Sequence, residues 1–292
     1  MLRRYFTALS VFTYFTMVLG GWVRNADAGL SCPDWPLCHG KLIPPLDYQI
    51  MLEYFHRLAV SLVSLTLIMI TVQIVRDKKN REAFGRLLIA AWVLLVMQIV
   101  LGGLTVLDLL KGEVVAMHLG TALTFFTVLL FATLKAYRVE LPTTKSNATK
   151  SAGLLFFARF ALIAVFCQAL LGGVVSSHYA RWGCPDFPFC QGSLFPAMHG
   201  LAGIHYTHRL GAYITSLLVL FFSIRFIQEN PRESRWAALA VLALLAFQWG
   251  LGLALIFTAV KVYSVAHLAT AILIFALLLV QHEQIQRRSS VS

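Results

Sequence analysis

Cys32-Pro-Asp-Trp-Pro-Leu-Cys38 and Glu53-Tyr-Phe-His56-Arg57-Leu58 return 152 positions later as Cys184-Pro-Asp-Phe-Pro-Phe-Cys190 and His205-Tyr-Thr-His208-Arg209-Leu210. The same offset carries Gly20-Gly21 onto Gly172-Gly173. With a slip of two or three residues, Gln98, Gly102 and His118 are answered by Gln248, Gly252 and His267. A repeat that holds its register through loops and apolar runs alike reads as a tandem duplication. Both copies keep a paired-cysteine loop and two histidines. They differ at one chemical position, Glu53 in the first and His205 in the second.

Working outward, 59% of the 292 residues are hydrophobic and 13% charged, which is not the composition of a soluble globular domain. A membrane-crossing helix needs roughly 20 apolar residues. Such runs occur eight times, near 5–23, 51–75, 85–107, 114–137, 153–175, 201–227, 235–257 and 262–281. The expected fold is an all-α polytopic membrane protein of two tandem four-helix bundles. Its N-terminal half spans 1–140, a linker 141–152 and its C-terminal half 153–292.

The net charge of +11 is unevenly placed. Arg3, Arg4, Arg76, Lys78, Lys79 and Arg81 typify the termini and even-numbered connections, whereas the opposite side carries only Arg24, Lys41, Lys111, Arg181 and Lys261. The richer side faces the cytoplasm, with both termini, by the positive-inside rule. The basic balance is therefore a topology signal and not a nucleic-acid site. No cleavable signal precedes the first helix, so a prokaryotic plasma membrane is expected. No glycine-rich phosphate loop or paired-Asp prenyl-diphosphate motif is present. Both cysteine pairs then lie on the outer face, where disulfides persist, and Cys32–Cys38 and Cys184–Cys190 each close a short ring. Trp35 and Phe187 seal those loops, and Cys167 reads as a small buried apolar residue within a helix.

His56, His118, His208 and His267 each stand four to six residues into an even-numbered helix. At ~1.5 Å per residue they lie roughly 6–9 Å below the outer boundary. Even helices of one half enter from the same side, so their imidazoles match in depth. Two facing each other across a bundle supply both axial ligands of a haem, and glycines on the odd helices let a flat macrocycle approach. Any one such histidine reads equally as a satisfied core residue; four in register weigh for ligation.

Glu53 precedes His56 by three residues and shares its face, about 4.5 Å along the axis. That suits a proton donor or acceptor. The plain alternative is a carboxylate that only stabilises a helix N-terminus, against which stands His205 at an equivalent helix start. Arg57 and Arg209 either reach haem propionates or snorkel to headgroups. Gln98, Gln168 and Gln248 read as interhelical packing contacts. His39, His178, His199 and His205 are either surface imidazoles or a copper site.

Two four-helix halves, a CxxxxxC outer loop, ExxHR opening the second helix and lone histidines opening the fourth, sixth and eighth resemble bacterial haem A synthase over essentially the whole chain. The resemblance implies conversion of haem O to haem A by oxidation of a ring methyl to a formyl group, for cytochrome oxidase assembly. His56 and His118 would then hold the substrate haem, Glu53 would be the essential carboxylate, and His208 and His267 would ligate a resident haem b. Cys32 and Cys38 match the family's first-loop pair. The implied partners are a protohaem farnesyltransferase supplying haem O, a membrane electron donor of unknown identity and the lipid bilayer, with room for a homo-oligomer. Two steps are expected, methyl to alcohol and alcohol to a hydrated aldehyde. A non-enzymatic dihaem b-type electron-transfer protein explains the four histidines equally well but not the asymmetry of Glu53. A thiol oxidase and a duplicated transporter are weaker rivals, since the cysteines lack a reactive setting and the polar residues avoid the midplane.

Overall fold

The computed structural model describes residues 2–137, 148–229, 232–258 and 260–289. Among them the chain is all-helical: α1 Leu2–Asn25, α2 Tyr48–Arg76, α3 Lys78–Leu107, α4 Gly112–Tyr137, α5 Ala148–Ser177, α6 Gly200–Glu229, α7 Arg232–Phe257 and α8 Lys261–Ser289. All eight are long and apolar enough to cross a membrane, and the chain is a multi-pass membrane protein. It divides into two compact units, Met1–Val139 and Glu140–Ser292.

The helices overrun the apolar stretches at most ends, because hydropathy marks the lipid-facing length while helical hydrogen bonds continue through polar flanks. Three expectations change accordingly. Gly20-Gly21, read as the end of the first helix, lies inside α1. Residues 148–152 of the expected linker belong to α5, and 141–147 lie outside the described residues. His56 and His208 are eight residues into their helices and His118 and His267 six, roughly 9–12 Å by helical rise.

Each unit is a closed ring of four helices. In the first, α1 packs on α2 and α4, and α3 packs on the same two; in the second, α5 and α7 both pack on α6 and α8. α2 therefore faces α4 across a diagonal, as α6 faces α8. The large buried side chains crowd the end away from the cysteine loops. In the first unit these are Phe6, Leu67, Ile70, Ile74, Phe84 and Leu129. In the second they include Phe222, Phe226, Leu278 and Leu279. Lipid tails match Leu for polarity, so such packing acts through shape and a few polar ties. One tie joins Ser10 Oγ to Thr133 Oγ1 at 3.0 Å. The loop end of each bundle is thereby left for the histidines.

Cys167 is a correction. It is exposed, not buried. Phe156, Phe160 and Ile163 are exposed with it, at helical spacing, so the thiol belongs to an outward-facing apolar stripe.

Candidate functional site: paired imidazoles beneath latched loops

Each odd-numbered helix carries a polar residue and, four positions on, a glycine: Thr16 and Gly20, Gln98 and Gly102, Gln168 and Gly172, Gln248 and Gly252. Four residues is one helical turn, so each pair shares a face. A histidine from the following helix lies over every one of them. A Cβ placed on Gly20 would stand 2.9 Å from Cε1 of His56; the same construction gives 3.3 Å at Gly102 to His118, 3.3 Å at Gly172 to His208 and 3.5 Å at Gly252 to His267. The sequence reading gave these glycines to a flat macrocycle. In the structure the imidazoles themselves fill the room.

The glutamines also do more than join helices. Gln98 Nε2 lies 3.2 Å from His118 Nε2. Gln168 Nε2 lies 3.0 Å from His208 Nδ1 and donates to the His208 carbonyl at 2.9 Å. The Nδ1 atoms of His56, His118 and His267 are buried without a hydrogen-bond partner, as are the Oε1 atoms of Gln98, Gln168 and Gln248. Buried polar atoms are ordinarily satisfied. Unpartnered nitrogens on His56 and His118, which stand on diagonal helices, and on His267, opposite the Gln168-held His208, would suit the two protein ligands of a haem iron. Among the described residues no three His, Cys, Asp or Glu side chains form a metal centre. A macrocycle supplies four donors itself and asks the protein for only two, so the pairs fit a haem. The copper reading finds no cluster: His39 Nε2 meets the Ser31 carbonyl at 2.9 Å, and His178 Nδ1 meets its own helix at Val174 O, 3.0 Å.

Above each imidazole pair sits a disulfide loop, Cys32–Cys38 in the first unit and Cys184–Cys190 in the second. Both end in a two-residue turn, Cys38 facing Lys41 and Cys190 facing Ser193. His39 and Gly40 take φ of 56° and 67°, Gln191 and Gly192 56° and 75°. That is the hairpin turn with two left-handed residues, where glycine adds no strain. A carboxylate fixes each turn. Asp34 accepts the N–H of His39 (2.6 Å) and Gly40 (2.7 Å); Asp186 accepts those of Gln191 (2.7 Å) and Gly192 (2.8 Å). These donors, the glycine foremost, hold both carboxyls below the usual carboxylate range.

The arginines after the histidines turn toward these loops, a use their spacing did not indicate. Arg57 donates to the carbonyls of Asp34 (2.7 Å), Leu37 (2.5 Å) and Cys32 (3.2 Å), and its Nε bonds Glu53 Oε1 at 2.8 Å. Arg209 donates to Asp186 O (2.7 Å) and Phe189 O (3.1 Å), with its guanidinium 5.3 Å from the Phe187 ring centroid. Trp35 lies against α3 at Gly103. Glu53 is 7% exposed, and His205, in the corresponding place, is also 7% exposed. The first unit therefore joins loop, arginine and carboxylate in one network beside His56, and the second stops at the arginine. Sequence reasoning missed Asp34 and Asp186, although their recurrence within both Cys-Pro-Asp motifs was a signal.

A family model, COX15-CtaA, described as cytochrome oxidase assembly protein, matches residues 3–51 and 46–279. The chain belongs to this family. Among its curated relatives is the heme A synthase of Symbiobacterium thermophilum, 30% identical over 243 residues, covering 78% of this chain and 77% of the relative. The heme A synthase of Alkalihalophilus pseudofirmus is 27% identical over 266 residues, covering 88% of each. That of Shewanella oneidensis is 27% identical over 284 residues, covering 83% of this chain and 84% of the relative.

Proposed function

We propose that the first unit binds haem O through His56 and His118 and oxidises one ring methyl to the formyl group of haem A, while the second holds a resident haem b through His208 and His267. Haem A formation is the activity its named relatives share. The oxidation runs in two steps, methyl to alcohol and alcohol to a hydrated aldehyde that loses water, with dioxygen as oxidant and a membrane donor supplying electrons. Haem b supplies one-electron transfer when bound. The sites face the outer side of a prokaryotic plasma membrane, and the product serves cytochrome oxidase assembly.

The observation that carries this is the asymmetry at the second turns of α2 and α6. Matching imidazole pairs, loops and arginines surround Glu53 in one unit and His205 in the other. Arg57 holds Oε1 of Glu53, which orients the carboxylate and leaves Oε2 to exchange a proton with substrate. The three loop carbonyls on Arg57 fix the guanidinium, so the carboxylate is held by a rigid partner. Gln98 and Gln168 set the rotation of the His118 and His208 rings.

Glu53→Gln keeps the shape and removes the proton-transfer group. The purified variant should retain its haem while conversion of haem O drops by at least about 100-fold, the lower range for general acid–base groups. Chromatography of extracted haems reads this directly. His205→Gln should leave conversion within a few-fold of the unsubstituted protein. Haem A at the normal yield from Glu53→Gln would remove Glu53 from the mechanism, and a chain that yields only haem b would be an electron carrier.

A further inference from the structure

In each unit the seam between the second and third helices of the ring is the loosest of the four. In the second unit aromatic side chains close it toward the loop end. Trp249 on α7 donates its indole N–H to Ser216 Oγ on α6 at 2.9 Å, and its ring lies 5.3 Å from that of Tyr213. The offsets that align His56 with His208 and Gln98 with Gln248 give the corresponding positions of the first unit as Ile99, Ser64 and Ser61. The accepting serine is kept, and both rings are gone. Ser64 bonds back to Val60 O at 2.9 Å and Ser61 to Arg57 O at 3.0 Å, so neither reaches α3.

The first unit has a tryptophan bridge of its own, but deeper. Trp92 donates to Thr71 Oγ1 at 2.9 Å. Trp92 precedes Ile99 by seven residues, roughly 10 Å further from the loop end. The reciprocal trace is visible in the second unit, where Leu242 answers Trp92 and Ser223 answers Thr71. There Ser223 Oγ is buried with no partner. One latch, two depths.

The stretch that loses its aromatic closure lies just inward of the histidine level. Ser61 and Ser64 follow His56 by five and eight residues, roughly 7–12 Å along α2. Beside them, on adjoining helical positions, exposed apolar residues face the lipid: Leu65 on α2 and Val96 on α3. We infer that this seam is the subsite for the prenyl chain of the substrate, which enters sideways from the bilayer and lies between α2 and α3 at Ser61, Ser64 and Ile99. The inference rests on the reading that the first unit takes a prenylated haem. An isoprenoid chain needs no hydrogen bonds, only a slot with small walls, and Ser61 in place of Tyr213 and Ile99 in place of Trp249 supply them. Tyr213 and Trp249 shut the same path in the second unit, which suits a cofactor that stays.

The test uses the full chain in lipid nanodiscs, with Ser61→Cys in a Cys167→Ser background, since the other cysteines are disulfide-bonded. A membrane-soluble maleimide should label position 61 readily. Loading with haem O should slow labelling at least fivefold, and loading with protohaem, which lacks the chain, should not. Equal protection by both haems, or by neither, overturns the subsite; slow labelling before any haem is added means that lipid fills the seam, and overturns it as well. Rebuilding the second unit's closure with Ser61→Tyr and Ile99→Trp should lower haem O retention at least tenfold while protohaem is still taken up beyond the one equivalent assigned to the second unit. Loss of both haems together would reduce the seam to packing. Failure of the underlying reading shows separately, as haem O binding that survives His56→Ala.

Discussion

The two disulfide loops share a turn, a carboxylate and an arginine, yet they are fastened to their bundles differently. In the second unit backbone presses on backbone. A Cβ on Gly183 would fall 2.4 Å from the carbonyl of Leu201, and one on Gly203 2.5 Å from the carbonyl carbon of Met198. The matching positions of the first unit are Ser31 and Met51, and the fastening there is made by side chains. Ser31 Oγ donates to Gln49 O at 2.9 Å, Gln49 Nε2 to Ala26 O at 2.9 Å, and Arg57 holds three carbonyls. Each such bond contributes about 1 kcal/mol net and can be exchanged for water. Interlocked backbone has no such alternative. A loop that opens and closes would suit the unit proposed to take substrate, and a fixed one the unit proposed to hold haem b.

The largest effect that can break this contrast is steric. Gly183→Ala and Gly203→Ala should each destabilise the second unit by about 3 kcal/mol, the upper end for overpacking where nothing flexible can yield. Ser31→Ala should remove about 1 kcal/mol from the first. Thermal loss of monodisperse protein in detergent reads both, and the reverse order would erase the distinction. The histidine cradles give the next largest effect. Gly20→Ala brings a methyl to 2.9 Å from His56, whereas Gly252→Ala makes an ordinary 3.5 Å contact with His267. Haem content per unit, read from absorption of purified protein, should fall about tenfold at the first site, equivalent to ~1.4 kcal/mol, and stay unchanged at the second. Equal losses would mean the two cradles are equally tight.

Much of this was legible beforehand, for identifiable reasons. Membrane helices announce themselves by long apolar runs, and this sequence presents each motif twice, so Cys32–Cys38, Cys184–Cys190 and the four histidines stood out from unrelated residues. The unit boundary was blurred because residues 148–152 include Thr149, Lys150 and Ser151 and are nonetheless helical. Helix orientation was the harder quantity. Hydropathy cannot say which face of α5 meets lipid, so Cys167 was assigned inward. Spacing showed that Arg57 and Arg209 sit beside the histidines, but the loop carbonyls they grip come from 20 to 25 residues earlier. A bond across an irregular loop leaves no periodicity to read. The polar-x-x-x-Gly pairs were visible as residues, and their meaning emerged only when four imidazoles came to rest on them.

The smallest effect concerns acid. Asp34 is held below the usual carboxylate range by the N–H groups of Gly40 and His39, and Asp186 by those of Gly192 and Gln191. A carboxyl lowered in the folded state contributes stability that is complete above its unfolded pKa and lost as pH falls through the folded value. Both turns should therefore hold at neutral pH and loosen only below the ordinary carboxylate range. The two aspartates have equivalent partners, so acid removes the same support from each loop and exposes what remains. The second loop keeps its interlocked backbone; the first keeps exchangeable bonds and the side-chain contact of Trp35 with α3. Reduction of each disulfide by a phosphine, followed by alkylation and mass analysis, should speed up several-fold on acidification at Cys32–Cys38 and much less at Cys184–Cys190. Asp34→Asn should flatten the response of the first loop alone. Parallel acceleration at both bridges would show that the carboxylates, and not the mode of fastening, decide which loop opens.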